Sequence, residues 1–337
     1  MINVGLIGIG GMGRMHFNCY QNSTAAQLVA ISDIDTRKLQ GDWSSISLNL
    51  DSTKSEFVDL SGIATYENAH DLINDPNVQM VDICLPTPQH APLTIAALRA
   101  GKDVFCEKPM ALDAAQCEQM RQAAQESGRQ LMIGHCLRYW PQYVRAHEIM
   151  QSGEYGKVLY AHLHRFSPTP LSSWNNWMCD GSQSGGAVLD MHIHDVDTAL
   201  WWFGEPTGIT ANGLLRDDFP ASVDATWHYD SGPLVYLHGS WDLNGGNFRM
   251  AFRVVMEGAT LEYDTAGSQP DALQLHIGQQ TQIIEVGATL AYQAELDDFA
   301  ACLVQGKKME RVTPQSSQKA VEVVHEELRQ IRNNAQR

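Results

Sequence analysis

The sequence predicts an α/β protein of two domains: an N-terminal doubly wound parallel sheet, then a C-terminal α/β domain with a large, mostly antiparallel sheet. Three observations carry this. At 337 residues the chain exceeds the roughly 250–300 residues at which one core stops growing. Strand and helix signals alternate through the first third, the pattern of a parallel sheet with crossover helices. From Lys157 onward, alternating apolar and polar residues dominate, the signature of half-buried strands. The division is drawn as residues 1–125 and 126–337.

The first strand, over 4–7, breaks into glycines at the spacing G-x-G-x-x-G (Gly8, Gly10, Gly13) and resumes as a helical pattern through Met15 and Cys19. These glycines suit a tight turn, backbone approach to a pyrophosphate, and close helix-on-strand packing. The helix start offers free N–H groups to phosphates. A second strand over 28–32 ends in Asp33, about 20 residues past the last glycine, where a carboxylate can grip an adenosine ribose. Asp35 and Thr36 can cap a helix leading into a polar stretch, 42–54, read as loop or broken helix. A short strand at 62–66, a helix at 69–73 and a buried strand at 78–85 follow, the last ending at Pro86-Thr87-Pro88-Gln89-His90. A helix over 91–99 stops at Gly101, and a strand over 104–106 stops at Glu107-Lys108-Pro109. Residues 113–127 are helical, with Asp113 as cap and Gly128 as stop. The strand at 131–133 leads to His135, Arg138, Tyr139 and Trp140, and a helix covers 141–151. Strands are then expected at 158–166, 209–214, 225–229, 234–241, 248–256, 260–263, 273–277 and 281–286. Helices are expected at 189–203, 291–305 and 314–333.

Composition narrows the function. Lys plus Arg number 23 and Asp plus Glu 39, for a net charge of −16, which argues against nucleic acid and anionic membrane partners. No apolar run nears the roughly 20 residues of a membrane span. Seven cysteines, without a C-x-x-C pair, read as reduced thiols of a cytoplasmic protein. The start of the chain has no basic leader.

Two segments can carry chemistry. Lys108 follows a strand of the parallel sheet at its carboxyl end, the edge where such sheets bind ligands; there an ammonium can stabilise alkoxide character as hydride departs. The run Ser184-Gly185-Gly186-Ala187-Val188-Leu189-Asp190-Met191-His192-Ile193-His194-Asp195 admits two geometries. As a strand, Asp190, His192 and His194 share a face and resemble metal ligands. As a helix, Asp190 and His194 align at i, i+4 and His192 turns away. Ile193, Val196, Leu200 and Phe203 recur at helical spacing before Gly204, so helix is preferred and no metal is expected. His194, with an ordinary pKa of about 6.5, can take a proton near neutrality. The glycine pair permits close approach of a ligand, and His192 reads as a hydrogen-bonded structural residue.

With its opening glycine motif, Glu107-Lys108-Pro109, and the Gly-Gly-x-x-x-Asp-x-x-x-His run ending at His194, the chain resembles the Gfo/Idh/MocA oxidoreductases, which include inositol and sugar dehydrogenases. The resemblance implies an N-terminal Rossmann domain and a C-terminal open sheet whose exposed face forms a homodimer or homotetramer contact. It also implies a catalytic set of Lys108, Asp190 and His194, and a cis Lys108–Pro109 peptide. Ser184 replaces a glycine usual in that run, and the polar stretch after Asp33 is longer than typical. Cofactor contacts are expected from Gly8, Gly10, Gly11, Met12, Gly13, Asp33, Ile34, Pro86, Thr87, His90, Glu107 and Lys108. Substrate contacts are expected from Lys108, His135, Arg138, Tyr139, Arg165, Trp174, Trp177, Asp190 and His194, with Trp140 and Asn176 beside them; aromatic faces suit polyol C–H groups and arginine suits carboxylate or phosphate. Asp33 favours NAD, because a carboxylate repels a 2′-phosphate, while Arg37 softens the preference and keeps NADP as the alternative. The expected activity is NAD-dependent oxidation of a secondary hydroxyl on a sugar, inositol or related polyol. An NAD-dependent glycosidase and a non-catalytic NAD-binding sensor are the competing readings.

Overall fold

The computed structural model describes residues 1–46, 57–171, 173–217 and 219–335. Most of the polar stretch expected as loop or broken helix, from residue 47 on, lies outside the described residues. The chain forms two compact units. The first is Met1–Cys136 with Leu290–Gln318, the second Leu137–Thr289 with Lys319–Arg337. A single division between 125 and 126 has no place for the return of residues 290–318 to the first unit.

In the first unit six parallel strands, β1 (Ile2–Ile7), β2 (Ala26–Ser32), β3 (Ala64–Tyr66), β4 (Met80–Ile83), β5 (Asp103–Glu107) and β6 (Leu131–Gly134), pair in the order β3-β2-β1-β4-β5-β6. The order reverses between β1 and β4, which opens a crevice at the carboxyl ends of the strands. The interleaved helices are α1 (Gly11–Asn22), α2 (Thr36–Leu39), α3 (Ala69–Asn74), α4 (His90–Arg99) and α5 (Ala114–Ser127). Asp113 caps α5 by accepting the Gln116 N–H, and Gly128 ends it in the left-handed region. Helices on both faces bury most residues of the central strands, which read as largely apolar runs. Asp82 in β4 and Glu107 at the end of β5 are buried acids within these runs. The returning helix Ala291–Gln305 packs on α1, β1 and β2, bringing Phe299 within 6.3 Å of Phe105, ring to ring.

The second unit is built on an eight-stranded sheet. Its neighbouring strands are antiparallel except Leu234–Ser240 beside Val158–Phe166, which run parallel. Side chains alternate: Ala161, Leu163 and Arg165 point into the core while His162 is exposed. Helix Ile193–Phe203 covers the buried face. The strand expected at 209–214 is shorter, Gly208–Asn212, because the chain then folds into a two-strand ribbon, Leu215–Arg216 on Phe219–Pro220. The helix expected at 189–203 is two pieces. Over Ala187–Met191 the turn is widened, with His192 N–H reaching back to Ala187 O at 2.8 Å, and regular helix begins only at Ile193. Such π turns are frequent at functional sites.

Candidate active site

The crevice of the first unit is shaped by glycines where nothing larger fits. A Cβ on Gly13 would lie 1.9 Å from Gly8 O, and Gly8 itself has φ +91°, with Cys84 O in the way of any side chain. A Cβ on Gly10 would meet nothing within 4 Å. The backbone there faces open space at the start of α1, where no side chain caps the first turn. Open space, uncapped N–H groups and the positive end of a helix dipole make a cradle that fits a pyrophosphate. Gly13→Ala is expected to cost about 1–3 kcal/mol or more, as overpacking does, and to weaken NADH binding in a fluorescence titration.

Asp33, at the end of β2, accepts the N–H of Ile9 at 2.7 Å on Oδ2 and that of Asp35 at 2.8 Å on Oδ1. These bonds aim a nearly buried carboxylate at the crevice. The cation beside it is Lys38, Nζ 3.2 Å from Oδ2. Arg37, the expected moderator, is turned to Asp35 at 2.8 Å. Ile34 is 73% exposed and Thr87 is buried. The buried His90 ring lies between two backbone carbonyls, Pro109 O 2.8 Å from Nδ1 and Leu85 O 2.8 Å from Nε2, and burial lowers its pKa, so the neutral ring donates to one of the two.

Lys108, half-buried, begins the loop after β5, and Lys108–Pro109 is cis. Glu107 turns inward from the expected cofactor contact: Oε2 accepts the Lys108 N–H at 3.1 Å and Oε1 faces His16 Nε2 at 3.1 Å. His16 Nδ1 meets Asp82 Oδ2 at 2.8 Å, and the Tyr20 hydroxyl donates to the same oxygen at 2.8 Å. Glu295, from the returning helix, is fully buried, with neither carboxyl oxygen hydrogen-bonded. Burial pulls His16 down, but the Asp82 carboxylate outweighs it and holds the imidazole well above its usual value. Burial pushes Glu107 up, yet His16, then Lys108, bring it below the usual range. Burial first, and the charge of Glu107 next, raise Glu295 well above it. The donor atoms of His16, Glu107 and Glu295 lie within 4.8 Å of one another. Both His16 nitrogens already face carboxylates, which suits an imidazolium rather than a metal ligand.

The linkage has a definite sign. Glu295 and His16, both raised, contribute stability that is complete below their unfolded values and is lost as pH rises through the folded ones; Glu107, lowered, contributes above its unfolded value and loses that as pH falls. Glu295→Gln, which carries no proton to lose, is expected to gain stability over the native chain as pH rises from 5 to 8 in urea unfolding. A gap independent of pH would contradict a protonated Glu295.

In the second unit Asp190 is buried on the widened turn, and His194, half-buried, sits at the start of the helix, its carbonyl accepting the Thr198 hydroxyl at 2.8 Å. The glycine pair serves the protein rather than a ligand: Gly186 has φ +68°, and a Cβ there would lie 2.5 Å from Pro220 O. His192 is the structural residue anticipated, its Nε2 3.0 Å from Glu327 Oε2, while the Trp227 indole N–H donates to Glu327 Oε1 at 2.8 Å. Arg138 and Arg165, expected to meet substrate, are buried in two-pronged ion pairs. Arg138 grips Asp197 at 2.9 and 2.8 Å, and Arg165 grips Asp195 at 3.1 Å twice. His135 and Tyr139 are buried, Trp177 is half-buried and Trp174 is 57% exposed. The two tryptophans flank Asn175 and Asn176, both left-handed. His16, Tyr20, Asp82 and Glu295 were not singled out from the sequence; a lone acid inside an apolar strand, Asp82, was the available signal.

Residues 2–135 match the family described as "Oxidoreductase family, NAD-binding Rossmann fold", and residues 143–262 match the GFO/IDH/MocA C-terminal domain. The chain is 35% identical over 207 residues to inositol 2-dehydrogenase of Rubrobacter xylanophilus, covering 60% of this chain and 53% of that protein; the match thus spans about half of the relative's length. In fold it is similar to aldose-aldose oxidoreductase from Caulobacter crescentus (TM-score 0.83, 23% identity, 99% and 98% of the two chains). It is likewise similar to a levoglucosan dehydrogenase solved with NADH and levoglucosan (TM-score 0.83, 18% identity, 98% and 97%). With a glycine cradle that fits a dinucleotide and both domains matched, the chain belongs to the GFO/IDH/MocA oxidoreductases and carries their NAD-binding Rossmann domain.

Proposed function

We propose that the protein oxidises a secondary hydroxyl of a sugar, inositol or related polyol with NAD, and that Lys108, Asp190 and His194 carry the reaction. One observation carries the reading: the glycine cradle after β1 and Lys108 after β5 open at the same carboxyl edge of one sheet. The names of the relatives, inositol 2-dehydrogenase and levoglucosan dehydrogenase, support the substrate class. When bound, NAD supplies a hydride acceptor. The Lys108 ammonium donates a hydrogen bond to the reacting hydroxyl oxygen and stabilises its growing negative charge. The His194 imidazole takes the hydroxyl proton, and Asp190 orients that ring and a neighbouring hydroxyl. Trp174 and Trp177 offer apolar faces to the polyol.

Gly8, Gly10, Gly11, Met12, Gly13 and Asp33 hold the dinucleotide, with Asp33 selecting NAD over NADP. A homodimer or homotetramer through the exposed sheet face, which displays His162, Tyr160 and Tyr236, belongs to the same reading, as does a cytoplasmic location, in keeping with seven free thiols. Among the described residues no helix is long and apolar enough to cross a membrane. The test is a panel of inositols, aldoses and sugar phosphates with NAD and NADP, followed at the NADH absorbance. Reduction of NAD by a free polyol supports the reading. Release of an aglycone without net NADH, or no turnover of any polyol, overturns it.

A further inference from the structure

We propose that His16 and Glu107 are positioning residues for Lys108: an imidazolium held between two carboxylates fixes Glu107, and Glu107 fixes the amide of Lys108. The inference rests on the role given to Lys108 above and goes beyond it. Three contacts form an unbroken chain, Asp82 Oδ2 to His16 Nδ1 at 2.8 Å, His16 Nε2 to Glu107 Oε1 at 3.1 Å, and Glu107 Oε2 to the Lys108 N–H at 3.1 Å. Nδ1 donates to Asp82, while Nε2 stands opposite Glu107 Oε1 as an ion-pair contact rather than a hydrogen bond, and a carboxylate on each side of the ring favours the imidazolium.

The charges around it are accounted for on every side. Asp82 and Cys84 face the ring from β4 and the residue after it, with Cys84 Sγ 3.2 Å from Nδ1. Tyr20, one turn on along α1, donates to Asp82. Glu107 comes from the end of β5 with Lys108 next to it, and Glu295 from the returning helix. Ionising Glu295 as well would put a further carboxylate charge within 4.8 Å of His16 and Glu107 in a fully buried site, where each unpaired ion costs several kcal/mol. Glu295 therefore keeps its proton, and Asp82 and Glu107 carry the two charges that hold His16. From the far side of the same loop, His90 Nδ1 lies 2.8 Å from Pro109 O. The Lys108–Pro109 backbone is thus gripped before and after the lysine side chain.

A buried ionic cluster stabilises a fold less well than apolar packing of the same volume, so stability alone does not account for it. Holding a reacting ammonium in place does, since a displacement of about 1 Å at a reacting group costs on the order of a hundredfold in rate.

The experiment uses the full chain with a substrate identified by the polyol panel. Glu107→Ala and His16→Gln are expected to lower kcat about tenfold or more while NADH affinity, read by fluorescence titration, stays within about twofold. Glu107→Gln, which keeps an acceptor for the Lys108 N–H, should recover part of the loss, a rescue that a purely structural role would not give. Nitrogen NMR of histidine-labelled protein should show one ring doubly protonated at pH 8 and absent in His16→Gln. Wild-type kcat in Glu107→Ala and His16→Gln, beside an inactive Lys108→Met, overturns the positioning role and leaves the catalytic reading standing. Full turnover by Lys108→Met overturns the catalytic reading itself. Should the Ala variant fail to fold, a neutral His16 at pH 8 still overturns the proposal and a doubly protonated one upholds it.

Discussion

Lys108→Met is expected to lower kcat by about 10²–10³-fold on whichever polyol the native chain turns over, the loss typical of removing one donor from a developing oxyanion. Methionine keeps most of the lysine's apolar stem and volume but has no charge and no N–H. Lys108 lies past the end of β5, and its backbone amide is held by Glu107, so the substitution leaves the glycine cradle untouched. NADH binding by fluorescence should therefore be retained within a few-fold. A proportionate loss of kcat and kcat/KM places the interaction in the transition state; a rise in KM alone would reassign Lys108 to ground-state binding.

Glu327→Ala is expected to destabilise the second unit by about 3–5 kcal/mol, the range for breaking a buried ionic or hydrogen-bonded pair. Glu327 is fully buried and satisfies two groups from distant parts of the chain, His192 Nε2 at 3.0 Å and the Trp227 indole N–H at 2.8 Å. Alanine leaves both without an acceptor and adds a void. Thermal unfolding should fall by roughly 10 °C, at about 2–4 °C per kcal/mol for a unit of this size. Glu327→Gln, which retains an oxygen for Trp227, should lose much less. Because His192 directly follows the widened turn that carries Asp190, kcat of the folded Ala variant should fall too. Equal unfolding temperatures for the Ala variant and the native chain would remove Glu327 from the supports of that turn.

The elements that were legible in the sequence are those set by local chemistry. Asp113 and Gly128 marked the ends of α5 because a cap and a left-handed stop act within a turn of the chain. The glycine spacing revealed the crevice because the collision of Gly13 with Gly8 O is a matter of five residues. Interactions between distant residues were not legible. Nothing adjacent to Arg165 names Asp195 as its partner, and nothing near His16 names Glu107 or Glu295. Those pairings depend on register and packing, so two arginines read as ligand-binding turned out to be internal. The widened turn at Ala187–Met191 escaped for a related reason: its apolar spacing fits ordinary helix, and the extra residue in the turn leaves no mark on that spacing.

The first unit borrows its last helix from more than 150 residues downstream. At a ribosomal pace of about 5–20 residues per second, Cys136 emerges on the order of ten seconds before Ala291. During that interval α1 and Phe105 lack the apolar cover that Phe299 later provides, and His16 has only two of its three eventual acidic neighbours. A nascent chain paused there leaves that apolar face uncovered, and closure of the nucleotide fold waits until all of the second unit but Lys319–Arg337 has been synthesised.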